Sequence, residues 1–369
     1  MDAAKVYFGD MRCKMWDSLL NKMARILDRA EMSQIDFKQK FVAIKIHFGE
    51  PGNLSYLRPN FAKTLADKVK LLGGKPFLTD CNTLYVGRRN NALVHMDAAF
   101  ENGYSPFSTG VQNIIADGLK GTDETEVPIN GGVYCKTALI GRAIMDADIF
   151  LSLNHFKGHE LAGFGGAIKN VGMGSGSRAG KMAMHCDGKP EVLQDRCTGC
   201  GGSCVKQCNQ NAISLVNKKA HIDQNLCAGC GRCIGACNFN AIENNAFASV
   251  EALNSKMAEY AKAVLDNRPS FHINIVNQVS PCCDCHPEND AAVVPDIGIF
   301  ASFDPVALDK ACIDAVNAAP EIRSSVVGER EKGRDLFNGI HPATDWRTLI
   351  AHAERIGLGT SSYELINVK

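Results

Sequence analysis

The sequence has no excess of charge of either sign, no long apolar run and few aromatic residues. Forty Lys and Arg residues balance forty Asp and Glu residues, and aromatic residues make up 7% of the chain. This balance excludes the basic surface that nucleic acids or anionic membranes attract. No uncharged run approaches the roughly 18 residues of a membrane span, and residues 1–14 lack the pattern of a signal peptide. We therefore expect a cytoplasmic globular protein that binds neither nucleic acid nor membrane.

Cysteine, by contrast, is abundant, with sixteen residues in a chain of 369. Clustered cysteines in a reducing compartment indicate metal binding rather than disulfides. Eight of them lie within residues 197–237, and three more lie in the run Cys282–His286. The remaining five are scattered singly and are expected to be small buried hydrophobic residues: Cys13, Cys81, Cys135, Cys186 and Cys312.

Hydrophobic patterning outside the cysteine-rich region predicts an α/β protein. An apolar strand over residues 41–49 is followed by a helix that begins at Pro59 and by a strand over residues 75–80, which makes a βαβ unit and favours a parallel sheet. We predict a mostly parallel open sheet formed by residues 1–190 and 247–369, with residues 191–246 inserted. Further strands are predicted over residues 113–117, 147–153, 271–279 and 294–301, and helices over residues 136–145, 250–266, 346–356 and from Asp304 onward.

The inserted segment has the cysteine order of a bacterial two-cluster ferredoxin, a small α+β module. Cys227 begins a C-x2-C-x2-C-x3-C run, and Cys197 begins a similar run with one extra residue before its third cysteine. Paired CxxC motifs also make zinc sites, but duplicated runs in ferredoxin order favour two 4Fe–4S clusters. The spacing predicts crossed ligation, with Cys197, Cys200, Cys204 and Cys237 on one cluster and Cys227, Cys230, Cys233 and Cys208 on the other.

Ionisable residues such as His47, Asp80, His155 and Asp304 lie at the carboxyl ends of several predicted strands, and others continue into a glycine-rich stretch over residues 158–174. In parallel sheets ligands bind at the carboxyl ends of the strands, and glycine lets the backbone approach a ligand closely. The alternative is a tight turn whose basic side chains face water. We predict a binding loop with His155, Lys157, His159, Lys169 and His47 as catalytic residues, where the lysines and His159 bind phosphate or carboxylate and His47 or His155 donates a proton. Gly163, Gly165, Gly166, Asn170 and Asp80 are predicted to contact a cofactor.

The run Cys282–His286 has three interpretations. Cys283, Cys285 and His286 could bind an additional metal ion, completed by a ligand such as Asp296 or His155. Alternatively, the two cysteines form a redox-active thiol pair, or the run is a reduced structural turn.

Five segments together resemble the family known as domain of unknown function 362, whose members often carry a two-cluster ferredoxin insert. They read VAIKIHFGEPGNLSYLRP, TDCNTLYVGRR, IIADGLKG, LNHFKGHELAGFGGAIKNVGMG and VPDIGIFASFDPVALDKA. A weaker resemblance to the nickel-pincer lactate racemases lies in the Gly163–Gly166 run before Lys169 and in Arg58-Pro59. That resemblance implies that Arg58 faces the site. It extends to the fold only, because the glycine-to-lysine spacing differs and the racemases lack the ferredoxin insert.

The leading interpretation is therefore an iron–sulfur oxidoreductase of anaerobic metabolism. Two 4Fe–4S clusters would relay electrons between an external low-potential carrier protein and a cofactor, such as a flavin, or a small-molecule substrate at the sheet edge. The alternative is a non-catalytic electron carrier or docking protein. The third hypothesis is a pincer-type isomerase.

Overall fold

The computed structural model describes residues 3–85, 87–185, 188–208, 210–227, 231–243, 248–328 and 335–369. Its strands are β1 (Ala4–Asp10), β2 (Phe41–Lys45), β3 (Lys75–Asp80), β4 (Asn113–Ile115), β5 (Glu124–Pro128), β6 (Thr137–Gly141), β7 (Ile149–His155), β8 (Lys157–His159), β9 (Gly163–Gly165), β10 (Glu191–Val192), β11 (Ile213–Val216), β12 (Lys219–Ile222), β13 (Ile242–Glu243), β14 (Ser270–Val276), β15 (Gly298–Ser302) and β16 (Tyr363–Asn367).

The α-helices lie between these strands. They are α1 (Leu19–Arg29), α2 (Pro59–Leu71), α3 (Ala92–Glu101), α4 (Pro106–Thr109), α5 (Arg142–Asp146), α6 (Ala167–Ser175), α7 (Arg178–His185), α8 (Ser203–Lys206), α9 (Arg232–Ala236), α10 (Val250–Leu265), α11 (Pro305–Ala318), α12 (Leu336–Ile340) and α13 (Trp346–Arg355). No helix in the described part of the chain is long and apolar enough to cross a membrane.

Eight strands form one mixed sheet in the order β16-β1-β15-β14-β7-β2-β3-β4. Only β15 pairs antiparallel with its neighbours, so the other seven strands run in one direction. The sheet therefore combines strands from both sides of the cysteine-rich segment. The predicted mostly parallel α/β fold is confirmed, as is the β2–α2–β3 unit with Pro59 in the first turn of its helix.

Helices cover both faces of this sheet, which explains its nearly continuous apolar strands. In β2, Val42 and Ile44 pack on the side of α1 and α2, whereas Ala43 packs on the side of α6, α10 and α11. The central strand β7 is buried along its whole length. Packing in these two apolar layers fixes the positions of the residues at the ends of the strands.

Two sequence predictions about local structure were wrong. The helix predicted over residues 136–145 is strand β6 followed by the short helix α5, because β6 pairs antiparallel with β5. The glycine-rich stretch is not a loop but the hairpin β8–β9 followed by α6. Packing stabilises these elements although glycine has a low propensity for helices and strands. A β-carbon at Gly172 would overlap the carbonyl oxygen of Met257 on α10, so glycine permits the close helix contact.

The cysteine-rich segment has a small apolar core of its own. Ile213, Ile222 and Ile242 pack there against cysteine side chains, together with Leu84 and Met182 from the α/β part of the chain. Two antiparallel pairs, β10–β13 and β11–β12, complete it.

The scattered cysteines follow the prediction only in part. Cys81 and Cys312 are buried, Cys135 is partly exposed and Cys13 is exposed. Cys186 lies outside the described residues.

Candidate functional site

A cavity of about 430 Å³ opens where β2, β3, β7 and β14 end. It has the size of a small-molecule site and lies at the edge where parallel sheets bind ligands. Leu84, Met173, Leu253 and Met257 supply its apolar wall. Most of the predicted site residues line it, namely His47, Asp80, Lys157, His159, Gly165, Gly166, Lys169, Asn170, Cys283, Cys285 and His286.

Three residues that the sequence assigned to this edge lie elsewhere. Arg58 is exposed at the N-cap of α2 and does not line the cavity. Gly163 faces Thr344 and Trp346 instead. Asp304 follows β15, which runs antiparallel to β14, so it lies at the opposite edge and caps α11.

His155 is likewise absent from the cavity wall, because its ring is held from both sides. Nδ1 lies 2.9 Å from a carboxylate oxygen of Asp284, and Nε2 lies 2.8 Å from the carbonyl oxygen of Asn277. Burial alone would raise the pKa of Asp284, but His155 and Lys157 hold it below its ordinary value. His155 therefore positions the Cys282–His286 run through Asp284, rather than donating a proton to a ligand as predicted.

Cys283 lies at the centre of the polar wall and is fully buried. The Nζ of Lys169 donates a hydrogen bond to its Sγ at 3.4 Å. A hydrogen bond from Cys285 holds the pKa of Cys283 well below its ordinary value, against burial. The ammonium groups of Lys169 and Lys157 act in the same direction. The site therefore stabilises a thiolate at Cys283, while Cys285 keeps its proton because its pKa is raised.

His47 also lines the cavity, beside Arg89 and Glu50, two residues that the sequence analysis did not single out. Its Nε2 lies 3.0 Å from Arg89, whose Nε donates to Glu50 at 2.8 Å. Burial, followed by the charge of Arg89, lowers the pKa of His47 well below its ordinary value. A lowered pKa favours the neutral imidazole, whose Nε2 can accept a hydrogen bond from Arg89. That His47 donates a proton stays a prediction.

Beneath the cavity, a buried ion pair ties β2 to β3. Lys45 Nζ lies 2.8 Å from a carboxylate oxygen of Asp80 and 2.7 Å from Oδ1 of Asn170. The amide of Asn170 in turn donates to Asn154 Oδ1 at 2.7 Å. Asp80 and Asn170 therefore have internal partners, and each presents only its remaining surface to the cavity.

A third group of polar side chains lies beside Cys283. Single ligand atoms of Glu160, Cys285 and His286 all lie within 4.8 Å of one another. The predicted completing ligands lie elsewhere, since Asp296 accepts a hydrogen bond from the Gln278 backbone and His155 is held by Asp284. Glu160 takes their place because the β8–β9 hairpin brings it against the Cys282–His286 run.

The ferredoxin-type cysteines gather around two small cavities. One is lined by Cys197, Cys200, Cys204 and Cys237, and the other by Cys208, Cys227 and Cys233. These groups follow the crossed order that the spacing predicts. Cys230, the eighth predicted ligand, lies outside the described residues.

The sequence analysis missed several residues that line the cavity or hold the residues that do. A lysine inside an apolar strand marks Lys45, and an unexplained carboxylate within a metal-type run marks Asp284. Glu50, Arg89, Lys181 and His185 line the cavity from loops and from α7, where no sequence pattern marks them.

Fold and cavity together define an α/β protein with a ligand-sized site at the carboxyl edge of its sheet. The chain belongs to the family described as domain of unknown function (DUF362), whose model matches residues 42–314. The predicted membership is thus confirmed. No curated protein sequence matches the chain.

Two solved structures are similar to this one. The lactate racemase apoprotein from Thermoanaerobacterium thermosaccharolyticum has 13% identity and a TM-score of 0.38, over 74% of this chain and 51% of that chain. A protein from Thermotoga maritima has 10% identity and a TM-score of 0.42, over 81% of this chain and 58% of that chain. The chain thus spans about half to three fifths of the length of either protein.

Proposed function

We propose that this protein is a cytoplasmic iron–sulfur oxidoreductase. Two 4Fe–4S clusters, held by the cysteine-rich segment, would exchange electrons with an external low-potential carrier protein and with a small anionic molecule in the 430 Å³ cavity. The observation that carries the proposal is the grouping of the cysteines: four line one small cavity and three line another, in crossed ferredoxin order.

The surroundings of these thiols suit such clusters. Backbone N–H groups donate to cysteine sulfurs, from Ala212 to Cys208 at 3.2 Å and from Ala241 to Cys237 at 3.3 Å. Hydrogen bonds of this kind and an apolar shell are what tune a cluster's potential. Fully cysteine-ligated clusters supply single electrons and no other chemistry, so any substrate must bind elsewhere.

Helix α7 connects the thiols to the cavity. Lys181 and His185 on this helix line the cavity, whereas Met182 packs in the apolar core of the cysteine-rich segment. A β-carbon at Gly231, just before the helix that carries Cys233, would overlap Met182. One helix therefore separates the second group of cysteines from the ligand site, a thickness of about 10–12 Å.

The charges of the cavity indicate what it binds. Arg89, Lys157, Lys169 and Lys181 line it, against the carboxylates of Glu50, Asp80 and Glu160. Glu50 and Asp80 already pair with Arg89 and Lys45, and Lys157 pairs with Asp284. Lys169 and Lys181 contact a cysteine sulfur and a backbone carbonyl oxygen instead of carboxylates, so we expect these two lysines to attract a carboxylate or phosphate. A flavin phosphate and a small carboxylate substrate share this chemistry.

Iron and sulfide analysis of anaerobically purified protein tests the clusters. We expect about eight irons and eight sulfides per chain, and a loss of about four of each in Cys204→Ser and in Cys233→Ser. The matched control is Cys13→Ser, because Cys13 is exposed and far outside the segment. Stoichiometric zinc without iron would overturn the proposal.

A second experiment tests the ligand site. Flavin mononucleotide and a panel of small carboxylates are titrated into the protein with its clusters loaded. Binding of one class should weaken at least tenfold in Lys169→Met, but not in Lys63→Met, which removes a lysine that is half exposed on α2. Reduced clusters should be reoxidised by the bound compound. If nothing binds while the clusters still exchange electrons with a carrier protein, the non-catalytic alternative is correct.

A further inference from the structure

The cavity wall carries a second, independent metal-type donor set. Glu160 comes from the β8–β9 hairpin, whereas Cys285 and His286 follow β14, so the set exists only because the tertiary fold brings two distant segments together. All three residues line the cavity. Their donor atoms belong to a carboxylate, a thiol and an imidazole.

The distances fit one ion. His286 Nε2 lies 3.3 Å from Glu160 Oε1, which is the separation of two ligands on a tetrahedral ion with bonds of about 2.0 Å, about 3.3 Å. The Cys285 sulfur lies within 4.8 Å of both. A tetrahedral ion would hold that sulfur about 3.5 Å from each of the other two atoms, so a shift of at most about 1.5 Å in the thiol would bring it to bonding distance.

Two further observations point to a ligand at this place. The second carboxylate oxygen of Glu160 is buried and has no hydrogen-bond partner among the described residues. The other ring nitrogen of His286, Nδ1, lies 3.5 Å from the carboxylate of Glu288. A carboxylate behind a histidine is the usual arrangement for orienting a metal-binding imidazole.

We propose that Glu160, Cys285 and His286 bind one divalent transition-metal ion of the Zn²⁺ type, with a remaining coordination position open to the cavity. Binding replaces the proton on the Cys285 sulfur, which is released to solvent. Three protein ligands and an open position are typical of metal ions that polarise a substrate or water, whereas structural zinc has four protein ligands. Lys169 also lines the cavity, and its ammonium group lies 3.4 Å from the sulfur of Cys283, two residues before Cys285, so a carboxylate on the ion would also meet a cation.

The test is zinc content after equilibrium dialysis of the cluster-loaded protein against Zn²⁺, with iron and sulfide counted in the same samples. We expect one zinc per chain beyond the clusters. His286→Ala and Cys285→Ser should each weaken zinc binding at least tenfold, and Glu160→Gln should do the same, with iron unchanged. Cys282→Ser is the matched control, because Cys282 is adjacent but outside the donor set.

The same samples distinguish this site from the clusters. The His286 side chain is 39% exposed, so His286→Ala should fold even if Cys285→Ser does not. Replacing Zn²⁺ by Co²⁺ should add thiolate-to-cobalt absorption that His286→Ala reduces. Zinc binding that is unchanged by His286→Ala and Glu160→Gln would overturn the proposal, as would a Cys283–Cys285 disulfide with no bound zinc. If the unmodified protein binds one zinc ion but contains no iron, the cluster proposal is contradicted and the zinc proposal is not.

Discussion

Lys169 and Cys283 are in contact in the cavity wall, where the Lys169 ammonium nitrogen lies 3.4 Å from the Cys283 sulfur. Neither segment reaches this position alone, since α6 supplies the lysine and the loop after β14 supplies the thiol. Burial lowers the pKa of Lys169, but the Cys283 thiolate, together with the Glu160 carboxylate, outweighs burial and raises that pKa. The pair is therefore a partly buried ammonium–thiolate contact in the wall of the candidate ligand site.

Removal of this lysine should raise the pKa of Cys283. In Lys169→Met the thiolate loses a neighbouring cation, so its conversion to a mixed disulfide by methyl methanethiosulfonate, with release of methanesulfinate, should begin at higher pH than in the unmodified protein. Mass spectrometry of metal-depleted Cys282→Ser protein locates the label, and Lys169→Arg should restore most of the original profile. An unchanged pH profile in Lys169→Met would show that the lysine does not stabilise the thiolate.

The second prediction concerns the buried ion pair of Lys45 and Asp80. Lys45→Met removes the nearest cation from the Asp80 carboxylate and leaves Arg89, at 4.0 Å, as its remaining cationic neighbour, which should lower the free energy of unfolding by about 3 kcal/mol. Urea-induced unfolding measures this change. Lys63→Met breaks a half-exposed pair with Asp67 and should cost about 1 kcal/mol or less. The double variant Lys45→Met/Asp80→Asn should recover part of the loss, and no recovery would contradict the charge argument.

The third prediction concerns the packing of α6 against α10 at Gly172. Its β-carbon position is occupied by the carbonyl oxygen of Met257, so Gly172→Ala should separate α6 from α10 and destabilise the protein by about 1–3 kcal/mol. The matched control is Gly176→Ala, whose new methyl group would meet the flexible end of Met184. Equal thermal midpoints for the two variants would mean that α6 does not depend on this contact.

The fourth prediction concerns Asp309, which joins α11 to the start of α6. Its carboxylate accepts hydrogen bonds from the backbone of Ala167 at 2.7 Å and of Ile168 at 2.9 Å, and from the side chain of Asn274 at 2.8 Å. Burial raises the pKa of Asp309 to about 6 despite these bonds. The folded protein therefore binds a proton there between about pH 4 and 6 that the unfolded chain does not bind.

Because the folded state holds the extra proton, this residue's contribution to stability falls as the pH rises through that range and is constant above it. Asp309→Asn should lower the unfolding free energy, since its amide would face the Ile168 N–H group. The loss should be larger at pH 5.5 than at pH 7.5, by about 1 kcal/mol. Urea unfolding at both pH values measures it, and a loss that grows with pH would contradict the raised pKa.

The sequence by itself determined which cysteines belong together, one βαβ unit and the family of the chain. Cysteine spacing predicts two groups of four ligands in crossed order, and the described members gather as that order requires. The βαβ unit around Pro59 could also be recognised, because apolar period, helix start and glycine stop are local signals. Family membership followed from motifs that need no fold.

Only the tertiary structure decided which residues meet. Asp304 and Asp80 both follow apolar strands, yet pairing makes β15 antiparallel and leaves Asp304 at the opposite edge. Glu160 joins Cys285 and His286, although more than a hundred positions separate it from them. Strand direction, helix contacts and the burial of a charge depend on partners far away in the chain, and a local sequence pattern contains no information about those partners.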